Sequence, residues 1–484
     1  MLIMKIYVHF NTYINILLHL IYGKVQLAEK IYISTLLAVL CQLLSNSGLL
    51  AQSLVINGNV IDGQTKEPLP FVHIFINPNI GTITNIDGEF ELKVPSEIKG
   101  SILLQFSSIG YNTLYLNLDV PNYDTIKISL MPGINVLDEV IVTAEDNIDS
   151  AYLIMENVLA NIRKNYPTRK YGMEAFYREA NVSDTSYSRL IEAQILIADK
   201  GYNQPIEKTE FEVLQMRKTE DNRGLSWRQS LFEWLYSING VFKIVANDRL
   251  KKSVKPYNMT DLIENVEGWL KYEQEKELGA IRFLSEEFIN GADLSIEGVI
   301  ETVADTSYVV RFITKKLFTG RQGRGLIYIN KADWAIVEIR SEVVKPDTVH
   351  YYQLDYTLKN SRAYYQTIIK YQKHKGNYYL SYIKSNSIGT NSRGLIGGRD
   401  HTLFYKSKGK AGTIYQENEL YITSVIPYRK IKKKNRLDKE EDIYDADIKN
   451  DTIFWAQYNF PLLNPLTDKM RNDLKTVNNE IFIK

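Results

Sequence analysis

The stretch Val60–Ile76, VIDGQTKEPLPFVHIFI, decides how the N-terminal part of this chain folds. It begins as the end of one alternating segment, passes through Gly63, Lys66, Pro68 and Pro70, and resumes as a second alternating segment, Phe71–Ile76. Proline has no N–H to give to a ladder, so Pro68 and Pro70 confine their segment to a turn or a sheet edge. Two strands joined by such a turn are a unit of an all-β fold, and the question becomes how many more there are.

From Ser53 to Leu130 the pattern continues. The runs LVINGNVID, FVHIFI, EFELKVP, SILLQFSSIGY, TLYLNLDV and DTIKISL alternate, with turn chemistry about every ten residues. Alternating runs with this punctuation predict a small antiparallel sandwich of about seven strands, and Asp87-Gly88 predicts a tight hairpin within it. GNVIDGQTKEPLPFVHIFI, GTITNIDGEFELKVP and LLQFSSIGY, in that order, resemble the carboxypeptidase regulatory-like domain, a transthyretin-like β-sandwich common in exported proteins of the Bacteroidetes. The resemblance implies an accessory module without catalytic residues of its own. The next segment, NVLDEVIVTAED, resembles the stretch after this sandwich in TonB-dependent receptors. A receptor barrel of 22 or so strands does not fit in the chain that remains, so a last strand and a linker are expected instead.

Composition supports a β-rich, multi-domain reading. The 484 residues suggest two or three folded units, and 33 Tyr and 17 Phe favour pleated, half-buried surfaces. Lys plus Arg total 58 against 57 Asp plus Glu, so no global field draws nucleic acid or an anionic membrane. The single cysteine, Cys41, lies in the apolar run of residues 31–44. That run follows Lys30 and precedes small residues ending at Ala51, the layout of a secretory signal, and is shorter than the ~20 residues of a membrane span. Once it is removed no thiol remains, which excludes disulfides, a cysteine-ligated zinc site and a cysteine nucleophile. The expected organisation is a targeting segment at 1–52, the sandwich at 53–133, a linker at 134–147 and a β-rich domain at 148–484.

The second domain opens with NIDSAYLIMENVLANIRKNYP, where Ile148, Tyr152, Met155, Leu159 and Ile162 recur at helical spacing. This predicts an amphipathic helix capped by Asp149 or Ser150 and stopped by Pro167. Long alternating runs come next, among them SYSRLIEAQILIA, TSYVVRFITK, GLIYINKADWAIVEIRSEV, AYYQTIIKYQK, NYYLSYIKSNSI and ELYITSVI. Short turns such as NKAD and KGN make neighbours antiparallel. The fold class is therefore mainly β: a seven-stranded sandwich plus a larger antiparallel sheet, a candidate half-barrel around the helix. In pattern the sheet resembles the half-barrel of periplasmic lipoprotein carriers. YGMEAFYREA and DTIFWAQYNFPLLNP resemble segments of a Bacteroidetes exported family known by its regulatory-like domain.

Motifs for catalysis are sparse. None of His9, His19, His73, His350, His374 and His401 has a glutamate three residues on, and there is no HExxH or GxSxG. His73 reads as a solvent-facing strand residue. The candidate ligand-binding residues are Tyr177, Arg178 and Glu179 of FYRE, because a strand puts Arg178 and Glu179 on opposite faces and so buries one charge, as an ion pair or a ligand contact. FTGRQGRGL and GTNSRGLIGGRD match no phosphate loop and read as loops between strands. YRKIKKKNRLDKEEDIYD carries a basic block that Asp438, Glu440, Glu441 and Asp442 neutralise, so it reads as a solvated loop.

The expected function is that of an exported, non-enzymatic envelope protein of the periplasm or outer membrane. Its sandwich is a docking module, and its larger sheet binds a lipid, a glycan or a partner protein; no catalytic residue, cofactor, metal or nucleic acid is expected. An envelope-polymer hydrolase would need two carboxylates roughly 5–10 Å apart in one cleft. An adhesion or assembly subunit would show apolar patches and free strand edges.

Overall fold

The computed structural model describes residues 54–221, 292–314, 322–344, 365–391 and 412–462, apart from short stretches within them. The expected signal segment, Cys41, His9, His19, His350, His401, most of NVLDEVIVTAED and the part of GTNSRGLIGGRD after Asn391 lie outside the described residues.

Seven strands build the sandwich: β1 (Leu54–Asp62), β2 (His73–Asn77), β3 (Ile80–Ile83), β4 (Glu89–Val94), β5 (Ser101–Ser107), β6 (Leu114–Asp119) and β7 (Ile126–Leu130). They form two sheets, ordered β4-β1-β7 and β3-β2-β5-β6. Alternate residues such as Val60, Ile74, Phe90, Leu92, Leu104 and Phe106 meet in one core between them. The Asp87-Gly88 turn differs from expectation. Gly88 has φ +74°, but β3 and β4 belong to different sheets, so the turn carries the chain across the sandwich rather than closing a hairpin.

The remaining strands are β8 (Ile134–Asn135), β9 (Tyr171–Ser183), β10 (Ser186–Asp199), β11 (Glu210–Lys218), β12 (Ala292–Glu301), β13 (Thr306–Thr314), β14 (Gln322–Asn330), β15 (Ile336–Val344), β16 (Tyr365–His374), β17 (Asn377–Asn391) and β18 (Gly412–Ile426). They form one antiparallel sheet in the order β11-β10-β9-β18-β17-β16-β15-β14-β13-β12-β8, with its two ends unjoined. Within FTGRQGRGL, Gly323, Arg324 and Gly325 lie inside β14 rather than in a loop. A side chain on Gly325 would lie 2.7 Å from the Phe312 ring, so the ring of the neighbouring strand requires glycine there.

Register lines up one apolar row across ten strands. Ile296 on β12 stands opposite Val310, which stands opposite Ile327, then Ile339, Ile369, Ile383, Leu420, Tyr177, Ala193 and finally Met216 on β11. Helix α1 (Ala144–Asn165) packs over part of this face and adds Ala151, Ile154, Met155, Val158 and Ile162 to its core. Five such side chains contribute on the order of 10 kcal/mol of gross burial.

The helix starts earlier than the expected Asp149 or Ser150 cap; of the expected face, Met155 and Ile162 are buried and Tyr152 and Leu159 pack partly buried against the core, while Ile148 is exposed and Ala151, Ile154 and Val158 extend the buried side. Its apolar residues form one broad stripe, with Asp149, Glu156, Asn157 and Lys164 on the other side, so the sequence leaves open which edge of the stripe lies deepest. Small Ala151 allows close approach, while Tyr152 turns its hydroxyl to donate to the Ala292 carbonyl at 2.8 Å. At about 33 Å α1 is shorter than the ~45 Å spanned by ten strands. At the other side Ile443, with Leu437, Tyr444 and Ile448 partly buried, packs against the same core.

The opposite face of the sheet carries the sandwich. Phe71 and Ile83 join Phe176, Ile368, Tyr382, Tyr421 and Trp455 in a second cluster. Phe71, from the Val60–Ile76 stretch, holds φ +59°, a strained backbone for a bulky residue. Lys370 Nζ donates to its carbonyl at 2.8 Å, and its ring lies 5.7 Å from that of Tyr382.

Candidate functional site

Strand β9 sends Tyr177 and Glu179 to the α1 face and Arg178 to the sandwich face, as its period of two requires. All three are buried. The expected trio is therefore two sites separated by the thickness of the sheet.

On the sandwich face, register places charges of alternating sign on five adjacent strands: Arg217 opposite Glu192, Glu192 opposite Arg178, Arg178 opposite Glu419, and Glu419 opposite Lys384. Arg178 Nε donates to Glu192 Oε1 and Nη1 to Glu419 Oε2, both at 2.8 Å. Arg217 Nε donates to Glu192 Oε2 at 2.6 Å, and Lys384 pairs with Glu417 at 3.0 Å. Burial alone would raise the Glu192 carboxyl, but Arg217 and Arg178 outweigh it and hold the group below the ordinary carboxylate range. Burial would lower the Arg178 guanidinium, and Glu192 and Glu419 reverse that. The Tyr382 hydroxyl, pushed well up by burial and by Glu419, donates to that carboxylate at 2.6 Å.

The C-terminal segment closes this row. Helix α2 (Thr452–Gln457), N-capped by Asp451, leads into Tyr458–Leu462. Arg178 Nη2 donates to the Pro461 carbonyl at 2.6 Å, and the Arg217 guanidinium lies 4.7 Å from the Trp455 ring centre and 5.2 Å from that of Phe460. The same segment binds the sandwich: the Lys93 backbone N–H donates to Asn459 Oδ1 at 2.6 Å, and Asn459 Nδ2 donates back to the Lys93 carbonyl at 2.8 Å. FYRE and FWAQYNFP thus meet in one clamp between sandwich and sheet.

On the α1 face, Tyr177 donates toward Asn418 Oδ1 at 3.1 Å, and Asn181 Nδ2 donates to Glu179 Oε1 at 2.7 Å. Arg189 Nη2 donates to Glu179 Oε2 at 3.1 Å, while the two Nη atoms grip both oxygens of Asp442 at 2.5 and 2.6 Å. Asp221 accepts from the same guanidinium at 3.2 Å. Asp442 is a correction: this residue of the acidic block is buried and is engaged by Arg189, so it is not part of a solvated loop; Glu440 and Glu441 lie outside the described residues.

His73 is also corrected. It points at the large sheet, 6.3 Å from the Tyr421 ring, and burial with Lys370 nearby pushes its imidazole down to about 3. Arg189, Glu192, Arg217, Glu419 and Asp442 have no signature in the sequence, because their pairing depends on register between distant segments.

The carboxylates of both sites are tied to guanidiniums, which favours positioning and locking over proton transfer. Among the described residues no cluster of His, Cys, Asp and Glu is arranged to hold a metal ion. Beside Phe71, a shallow cleft lined by Gln366, Thr367, Ile368, Lys384 and Asn386 has a cavity volume of about 10 Å³, far below the roughly 300–1,000 Å³ of ordinary ligand pockets. On the α1 face a carrier role predicts a large apolar pocket; side chains of α1 and of residues 437, 443, 444 and 448 pack over part of the apolar row instead, which counts against a carrier with α1 in this position.

Residues 56–142 match the family model of the CarboxypepD_reg-like domain, as the motifs around Val60–Ile76 suggested. No curated protein matches the chain. Among solved structures, an outer membrane lipoprotein-sorting protein domain from Vibrio parahaemolyticus aligns at 8% identity and a TM-score of 0.25, over 60% of this chain and 96% of that one. A LolA superfamily protein from Nitrosomonas europaea aligns at 10% identity and 0.20, over 60% and 97%. A DUF1329 family protein from Desulfovibrio piger aligns at 8% and 0.21, over 57% and 93%.

Proposed function

We propose that this chain is an exported cell-envelope binding protein, that the α1 face of its large sheet takes an apolar ligand such as an acyl chain, and that the sandwich braces the opposite face. The observation that supports this reading is the apolar row running through ten of the eleven strands of the large sheet, under a helix that covers only part of it. A face filled by its own helix binds a chain only when that helix moves away, so α1 is the cover. Export is supported by the apolar run at 31–44 and its flanks.

The cover has a defined fastening. Just beyond α1, the Tyr166 hydroxyl donates to the Ile336 carbonyl at 3.0 Å and accepts from the Ile336 N–H at 2.9 Å. Asn165 Nδ2 donates to the Asp333 carbonyl at 2.7 Å. Tyr166→Phe removes two buried hydrogen bonds, worth about 1–2 kcal/mol. If the ligand-competent state has α1 lifted, apparent affinity rises with its population, by up to about thirtyfold. The assay is titration of the purified full-length protein with a fluorescent fatty acid, beside mass spectrometry of co-purified lipid. Tighter binding by Tyr166→Phe supports the reading; no probe binding by either protein, or weaker binding by the variant, refutes it.

A further inference from the structure

We infer that the end of the large sheet where β9 begins and β10 and β18 finish is a docking surface for an anionic lipid membrane. Five of the six residues from Arg429 to Lys434 are cations, and all five are exposed. The sixth, Ile431, is buried with Leu196 and Ala198 and plugs the segment onto the sheet. Beyond the lysines, Asn435 Nδ2 donates to Glu212 Oε1 at 2.6 Å, Arg436 pairs with Glu210 at 2.8 Å, and the Leu437 N–H donates to the Phe211 carbonyl at 2.8 Å. The basic run is therefore pinned on both sides and presents its ammonium groups from a fixed support.

Two more cations come from distant parts of the chain. Lys170, just before β9, and Lys200, just after β10, hold their ammonium groups 4.9 and 4.5 Å from the centre of the Tyr428 ring, and Lys200 also donates to the Tyr428 hydroxyl. Glu210, at the start of β11, is engaged by Arg436, and Asp442 turns to Arg189. Charge that balances over the whole chain, 58 against 57, is unevenly placed along this segment, where five exposed cations precede the exposed Asp438. Lys170 and Lys200 share the Tyr428 ring, so the distance between their ammonium groups is comparable with the ~8 Å screening length of physiological salt and the two act together on an opposing charged surface.

The kind of partner follows from how the charges are carried. The Tyr428 ring is occupied by ammonium groups and is not free to stack a base, and the segment offers a single 3-10 turn, Lys433–Asn435, rather than a helix for a DNA groove. Several lysines around a tyrosine are suited to phosphate-bearing headgroups, each adding to surface attraction. The inference stands apart from the acyl-chain reading, since it requires no opening of α1.

The test is co-sedimentation of the full-length protein with phosphatidylcholine vesicles, with and without phosphatidylglycerol, at low and high salt. The expected result is binding that needs phosphatidylglycerol and fades with salt. Combined Lys430→Gln, Lys432→Gln and Lys433→Gln, at exposed positions, should weaken it on the order of a hundredfold with an unchanged circular dichroism spectrum. Lys170→Gln with Lys200→Gln should weaken it independently. Equal binding to neutral vesicles, full retention by the triple variant, or tighter binding to a DNA duplex than to anionic vesicles would each overturn the inference.

Discussion

Replacing Arg178 with methionine tests the bond between sandwich, sheet and C-terminal segment. Methionine keeps an apolar stem but removes the guanidinium. Glu192 and Glu419 then lose donors at 2.8 Å, and the Pro461 carbonyl loses one at 2.6 Å. Removing one member of a buried ion pair typically costs about 3–5 kcal/mol, because the remaining charge stays out of water. Each carboxylate keeps one partner, Arg217 for Glu192 and the Tyr382 hydroxyl for Glu419, which places the ionic loss near the lower bound. The orphaned carbonyl adds roughly 1 kcal/mol. The expected total is about 4 kcal/mol, read as a shift in urea unfolding followed by tryptophan fluorescence, to which Trp455 beside Arg217 contributes. Glu419→Gln introduced into the Arg178→Met protein should restore about 1–2 kcal/mol by neutralising the orphaned charge, although it destabilises the native protein. A loss below about 1 kcal/mol, or strict additivity of the two substitutions, would refute the reasoning. Arg311→Met is the control, since its pair with Glu297 is half-exposed and such pairs are worth at most about 1 kcal/mol.

Acid should weaken the fold through His73. Its folded pKa is about 3 against 6.5 for the free imidazole, so the unfolded chain binds the extra proton: stability is complete above 6.5 and declines as pH falls toward 3. Between pH 7 and 5 this amounts to at most about 2 kcal/mol, and His73→Gln should flatten that part of the stability profile; an unchanged profile would count against the placement of His73 between sandwich and sheet. Gly325→Ala would put a methyl group 2.1 Å from the Arg340 carbonyl oxygen and 2.7 Å from the Phe312 ring, so a melting temperature below that of the native protein, by a destabilisation above about 2 kcal/mol, is expected. Tyr166→Phe should loosen α1 while tightening binding of the fatty-acid probe, measured by the same fluorescence titration.

The two covers of the α1 face differ in how they are held. Helix α1 is fixed chiefly by apolar packing and by the Tyr166 and Asn165 bonds at its end. The 437–448 segment is fixed by the two-pronged grip of Arg189 on Asp442 and by Ile443. Buried ion pairs orient strongly while contributing little net stability, whereas apolar packing does the reverse.

Alternation is a local property, and everything that depends on it alone was legible in the chain: the seven-stranded sandwich, the larger antiparallel sheet, the turns at NKAD and KGN, and the opposed faces of Arg178 and Glu179. The resemblance carried by Val60–Ile76 likewise rests on contiguous residues and matches the family model over 56–142. Which edge of the apolar stripe of α1 lies deepest was settled by the fold, because the stripe is broad and the choice depends on the shape of the sheet beneath. Folding also brought residues 178, 192, 217, 384 and 419 into one row of alternating charge, turned Asp442 inward, and set the C-terminal aromatic segment against the sandwich. Those pairings arise from register between strands far apart in the chain, where a slip of one residue exchanges the faces and leaves every local pattern intact.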